Sequence, residues 1–168
     1  MKIFDQLYFD NLSKRAKANS RLRQHSNIHE SYQDLCQRMV NALEPNSYIP
    51  PHRHFTIPKN ELMVALRGKM ALVIFDASGA VTEVLKLGCD LASGESAAAV
   101  ELEPDTWHTV VAFESGCILL EVKAGPFDPS QPKDIASWAP EEGTPQARAY
   151  LQKLTTTISD SVSVWAQL

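Results

Sequence analysis

The chain has 168 residues and few of the features that mark a special environment. Its three cysteines, Cys36, Cys89 and Cys117, are odd in number, widely spaced and never arranged as CxxC. That argues against a disulfide-stapled secreted domain and favours reduced thiols in a cytoplasmic setting, most simply as small core residues. Long hydrophobic runs are missing: the longest, Met70–Phe75, has six residues, against roughly 20 for a membrane-spanning helix. Basic blocks are missing too. The chain carries 16 Lys and Arg against 20 Asp and Glu, with no Lys/Arg stretch longer than two, which excludes nucleic acid as an expected partner. Asp5 and Asp10 fall within the first ten residues, so the start does not read as a signal peptide. No internal repeat or low-complexity segment is present.

What the chain does have is a 44% apolar content, enough for one compact core at this length. Residues 5–18 read as an N-terminal helix. Phe4, Leu7, Tyr8, Leu12 and Ala16 recur at three- and four-residue steps, Asp5 is in place to cap, and Lys14, Arg15 and Lys17 lie at the end that favours cations. From Cys36 the period shortens. Runs at 37–44, 47–54, 61–67, 70–76, 81–87, 97–102, 107–113 and 117–123 are separated by turn residues such as Pro45-Asn46, Ser78-Gly79 and Ser115-Gly116. Short strands so spaced predict an antiparallel sandwich or barrel with no room for crossover helices. After Lys123 a Pro- and Asp-rich stretch reads as an ordered loop tied down by Phe127 and Trp138. Pro145 then opens a short helix through Leu154. The reading is one domain over 1–154, with the barrel at 36–123 and a loop and helix at 124–154. Residues 155–168 are expected to be a flexible tail or a partner-dependent strand.

The five histidines are an ordinary number in unusual places. In Pro51-His52-Arg53-His54 the two imidazoles share one face of a strand while Arg53 takes the other. If Phe55–Asn60 form a connecting loop, Glu61 returns a carboxylate to the same neighbourhood. His108 opens a later strand, just after the turn Glu103-Pro104-Asp105. Three imidazoles and one carboxylate from strands of one barrel would leave one or two positions open on a divalent ion. Taken singly each residue has a plainer reading: a solvated HxH pair, a surface Glu61, a buried His108 bonded to a backbone carbonyl.

The run His52-x-His54-x6-Glu61-x6-Gly68 resembles the first cupin motif, and Pro104-Asp105-Thr106-Trp107-His108 resembles the second. More narrowly, the chain is similar to WbuC-type cupin-fold metalloproteins found among bacterial surface-polysaccharide genes. That likeness is carried by Arg23–His29, Gln37–Pro45, Pro50–His54 and Glu121–Pro129. It implies an all-β double-stranded β-helix (a cupin, or jelly-roll, barrel) with short N- and C-terminal helices. It also implies one divalent transition metal (Zn, Fe, Mn, Ni or Cu) held by His52, His54, Glu61 and His108. The spacing departs from the family at one point. The gap from His54 to Glu61 is longer than usual, so either a longer loop still returns Glu61 to the ion or the site is made of histidines alone. Asp105 stands where the second motif usually has Gly, and Asp tolerates positive φ better than most residues.

A second polar group, Arg23, Asn27, His29, Gln37 and Arg38, crowds the entry to the barrel. It is either a solvated loop and edge strand or a surface that meets an anionic ligand. Tyr48 and Trp107 are candidates to line the cavity or simply to be core, His25 is expected in solvent, and Glu121 is expected to pair with Lys123. The function expected is a metal-binding barrel facing a small molecule, a saccharide or sugar acid by the resemblance. The alternatives are a non-catalytic small-molecule binder and a metal-dependent dioxygenase or isomerase of another pathway. A homodimer through an edge strand is the favoured assembly.

Overall fold

The computed structural model describes residues 1–54, 58–92, 94, 96–130 and 133–165, with side chains of the last helix through Ser159. The expected 55–60 loop therefore lies partly outside the described residues, as do residues 166–168. In chain order the elements are α1 (Gln6–Ala18), β1 (Arg23–Asn27), β2 (Cys36–Leu43), β3 (His52–Arg53), β4 (Glu61–Arg67), β5 (Lys69–Phe75) and β6 (Val81–Gly88). They continue with β7 (Ala99–Leu102), β8 (Trp107–Ala112), β9 (Cys117–Ala124), β10 (Asp134–Ile135) and α2 (Pro145–Trp165).

The strands form two five-stranded sheets, ordered β1-β2-β9-β4-β7 and β10-β3-β8-β5-β6, and every strand pair in them is antiparallel. Alternation along each strand sends one set of side chains between the sheets and the other outward. Leu43, Met63, Ala65, Met70, Leu72, Leu87, Val110, Ala112 and Leu119 make the interior core. The outward set is covered by the helices. Leu12 and Ala16 of α1 pack on Val40, Ala42 and Ile118 of the first sheet. Ala147, Leu151, Leu154 and Ile158 of α2 pack on Ala71, Val73, Phe75 and Val111 of the second. Asp5 caps α1 as its sequence suggests, accepting from the Tyr8 amide at 2.9 Å. The β4–β5 turn needs Gly68: its φ is +78°, and a Cβ there would stand 2.7 Å from Cys117 Sγ.

Four expectations are corrected. The run 47–54 is a strand only at His52–Arg53, because Pro50 and Pro51 have no amide to give a ladder. Two further strands exist, β1 and β10, the second inside the stretch expected to be loop. Phe127 and Trp138 do tie that stretch down, Phe127 edge-on to Tyr32 at 5.1 Å and Trp138 against Phe75 at 5.2 Å. Of the cysteines only Cys117 is buried; Cys36 and Cys89 are exposed. Residues 155–165 are neither tail nor strand but the continuation of α2. Thr155–Thr157 and Ser159 look like helix-poor residues in sequence, yet each hydroxyl returns to the carbonyl four residues back, at 2.9–3.1 Å. Ile158 is fully buried, one turn after Leu154. Ile158→Ala is therefore expected to cost about 2–5 kcal/mol, measured by urea unfolding; a change under about 0.5 kcal/mol, the surface-substitution level, would return this segment to the tail.

Candidate metal centre

The inward positions change character along the strands. On β8 they run His108, Val110, Ala112; on β4 Glu61, Met63, Ala65; on β9 Lys123, Glu121, Leu119, Cys117. One end of the interior is thus apolar and the other is lined with imidazole, carboxylate and ammonium groups. Register holds the polar end together: His52 lies opposite His108, and Glu61 opposite Lys123.

His52, Glu61 and His108 are all buried, and a ligand atom from each lies within 4.8 Å of the other two. The His52 and His108 rings are 4.4 Å apart between centroids. His54 falls outside this group of three, but its Nε2 is 3.2 Å from Glu61 Oε2, and His108 Nε2 is 3.3 Å from the same oxygen. These approaches lack hydrogen-bond alignment: His54 Nε2, His108 Nε2 and Glu61 Oε2 are buried with no hydrogen-bond partner. Meanwhile the far ring nitrogens are engaged. His52 Nδ1 is 3.0 Å from the Pro50 carbonyl and His108 Nδ1 is 2.8 Å from that of Thr106. A carbonyl accepts only, so Nδ1 carries the proton and Nε2 keeps its lone pair toward the centre. Lone pairs and a carboxylate oxygen facing one another repel unless a cation lies between them. The donor set of imidazole nitrogen and carboxylate oxygen, oriented by backbone carbonyls, therefore fits a divalent transition metal.

The electrostatics agree with ligand-ready protonation. Burial pushes the His52 imidazolium well below its ordinary range, with Lys133 and His108 adding to the fall. Burial lowers His54 as well, against the pull of Glu61. Burial alone would raise Glu61, but His108, His54 and Lys123 outweigh it and hold the carboxyl well below its usual range. Lys123 Nζ donates to Glu61 Oε1 at 2.6 Å and to Glu121 Oε2 at 3.4 Å, and Asn41 Nδ2 donates to Glu121 Oε1 at 2.8 Å. Glu121 is pushed up to about 7 by burial and the nearby Glu61. Lys123 is lowered by burial but raised more by Glu121 and Glu61, to about 12.

The second polar group divides. Arg23 and Asn27 pair in register with Leu43 and Met39, on the inner side of β1. Arg23 donates to the Tyr48 carbonyl at 2.7 Å and pairs with Glu142 at 2.7 Å. His29 is buried; its Nδ1 lies 2.8 Å from the Arg38 carbonyl and 3.0 Å from the Arg38 amide, while Nε2 has no partner. The structure does not bring Arg38 or Tyr48 to the interior. Arg38 is on the outward set of β2 and donates to the Cys36 carbonyl at 3.2 Å, and Tyr48 packs with α2, its hydroxyl donating to Pro140 at 2.9 Å. Trp107 is outside as well, against Trp138 and under the Arg53 guanidinium. His25 is exposed, and Asp105 has the positive φ its place in the motif suggests, +67°. Sequence reasoning passed over Lys123 as a neighbour of Glu61, although its two-residue spacing from Glu121 on one strand was the available signal. A cavity of about 610 Å³ lies at the opposite, apolar end, lined by Lys69, Met70, Lys86, Leu87, Phe113 and Ile158 among others, and takes in none of the centre.

Two facing antiparallel sheets with the histidines of β3 and β8 at one mouth define a cupin fold. Solved structures share the fold at TM-scores just above 0.5. The chain is similar to protein SO0799 from Shewanella oneidensis (14% identity, TM-score 0.53, covering 77% of this chain and 84% of that one). It is similar also to the capsular polysaccharide assembling protein CapF from Staphylococcus aureus (20% identity, TM-score 0.52), covering 68% of this chain but 31% of CapF. An RmlC-like cupin protein from Desulfovibrio desulfuricans matches at 20% identity and TM-score 0.45, over 61% of this chain and 81% of its own. No curated protein matches by sequence. Residues 4–87 match the model of a domain of unknown function, DUF6016, and the chain belongs to that family.

Proposed function

We propose that the protein binds one divalent transition metal through His52, His54, Glu61 and His108 and presents it to a small organic molecule entering the polar mouth of the barrel. The observation that carries this reading is the meeting of three buried, partnerless atoms, His54 Nε2 just after β3, Glu61 Oε2 of β4 and His108 Nε2 of β8, beside the buried His52 imidazole. A bound ion would supply a Lewis-acid position for a ligand oxygen. The protein's part is to fix the donors: Pro50 and Thr106 carbonyls set the ring tautomers, and Lys123 holds the Glu61 carboxylate ionised. The narrower reading, a WbuC-type metalloprotein handling a saccharide or sugar acid in the cytoplasm, is supported by the sequence phrases around Arg23–His29 and Glu121–Pro129.

Purified protein analysed by elemental mass spectrometry is expected to carry close to one transition metal per chain, as a single four-ligand site requires. Chelation should empty the site and one added equivalent of Zn(II) or Co(II) should refill it. A chain that neither carries nor takes up metal would sink the reading.

A further inference from the structure

We propose that Lys133 is the ligand-recognition cation of this mouth: it receives a carboxylate of a small organic dianion whose other end lies at the metal position. The proposal rests on the metal reading above and names the chemical class of its ligand. The placement of Lys133 comes from register. In β10, Asp134 pairs with Arg53 and Ile135 with His52, so one step back sets Lys133 opposite His54. Asp134 and Arg53 share the outward side, with Arg53 Nε 3.7 Å from Asp134 Oδ2. The alternate residue, Lys133, therefore takes the inner side with the histidines. Its charge is felt there by His52, and it in turn feels Glu121, Lys123, Arg23 and Glu61.

Three cations thus converge on the mouth from three strands or their ends, and two are already committed. Lys123 is held by Glu61 and Glu121, and Arg23 by Glu142 and the Tyr48 carbonyl. Lys133 makes no hydrogen bond or ion pair with any of the described residues. Its side chain is exposed at the rim of the mouth, and the protein around it, with Lys123 and Arg23 nearby, lowers its pKa to about 8. An uncommitted ammonium at the rim of this mouth is placed to receive an anion.

The test uses the full chain loaded with Co(II), whose visible spectrum reports a new ligand on the ion. It is titrated with malonate, succinate and glutarate and, as controls lacking the second charge, with propionate, butyrate and valerate. At least one dicarboxylate is expected to bind about tenfold or more tighter than its monocarboxylate partner, the scale of one charge-assisted hydrogen bond. Lys133→Met should erase that preference and Lys133→Arg should keep most of it, while both variants retain wild-type metal content and thermal unfolding. A preference that survives in Lys133→Met, or none in the wild type although Co(II) is bound, overturns the proposal and leaves the metal reading intact. A wild-type chain that takes up no Co(II), by elemental analysis, overturns the metal reading first.

Discussion

Replacing His108 by alanine is expected to strip the protein of its metal. His108 is 2% exposed, its Nδ1 is fixed by the Thr106 carbonyl, and its Nε2 has no partner but the centre. No other described imidazole stands ready to take its place: His29 and His25 belong to the β1 side, and His29 Nδ1 is already engaged by the Arg38 backbone. The expected loss is at least about 100-fold in metal affinity, because removal of a mere orienting partner already costs about 10–100-fold. After gel filtration the His108→Ala protein should hold well under a tenth of the wild-type metal by elemental mass spectrometry. His52→Ala should behave alike, and His25→Ala should not. Metal binding also stabilises a fold that its unfolded chain cannot match, so chelator should lower the melting temperature of the wild type and leave that of His108→Ala unmoved. His108→Ala protein that is folded by circular dichroism and still fully loaded would place the ion elsewhere.

Much of this was legible in the sequence, for a physical reason. The barrel strands are short, alternate cleanly and end in turn residues, so local chemistry alone marks them, and β4 to β9 fall where the pattern puts them. The histidine pair and His108 follow from the same alternation. Glu61 was the open question, because a loop of unusual length precedes it. Register brings it back to the histidines: the carboxylate is buried opposite Lys123 and beside both His54 and His108. What failed to show was whatever depends on long-range pairing. A two-residue strand such as β10 has no period of its own, so neither it nor the inward turn of Lys133 can be read locally. The end of α2 was hidden because Thr155-Thr156-Thr157 favour strand by propensity, whereas a tertiary face of Leu151, Leu154 and Ile158 holds them helical. Tyr48 and Trp107 had the wrong face for a cavity role, and a face is settled only once the neighbours are known.

Lys123→Met should be the most costly single change at the mouth, and its cost should depend on both metal and pH. Lys123 is the only described side chain that bonds Glu61 and Glu121 together, at 2.6 and 3.4 Å. Without it two carboxylates face one another with no ion-pair partner, Lys133 acting on them only at longer range, and removing one partner of a buried pair costs about 3–5 kcal/mol. The fold has one way to relieve this: a proton on Glu121, which burial already pushes up to about 7 against an ordinary value of 4.5. A carboxyl whose folded pKa exceeds its unfolded one binds its proton more tightly when folded, so the stability it lends is present below the unfolded value and is lost as pH rises through the folded one. Loss of the ammonium raises Glu121 further. The metal-free variant should therefore lie nearest to wild type at about pH 5 and fall furthest behind above about pH 8, as read from urea midpoints at the two pH values. A divalent ion on Glu61 supplies the missing positive charge by another route. Zn(II) loading at pH 8 should consequently rescue Lys123→Met by more than it stabilises the wild type, and the difference measures the coupling between ammonium and ion. Equal stabilisation of both proteins would mean that Lys123 and the ion do not share Glu61.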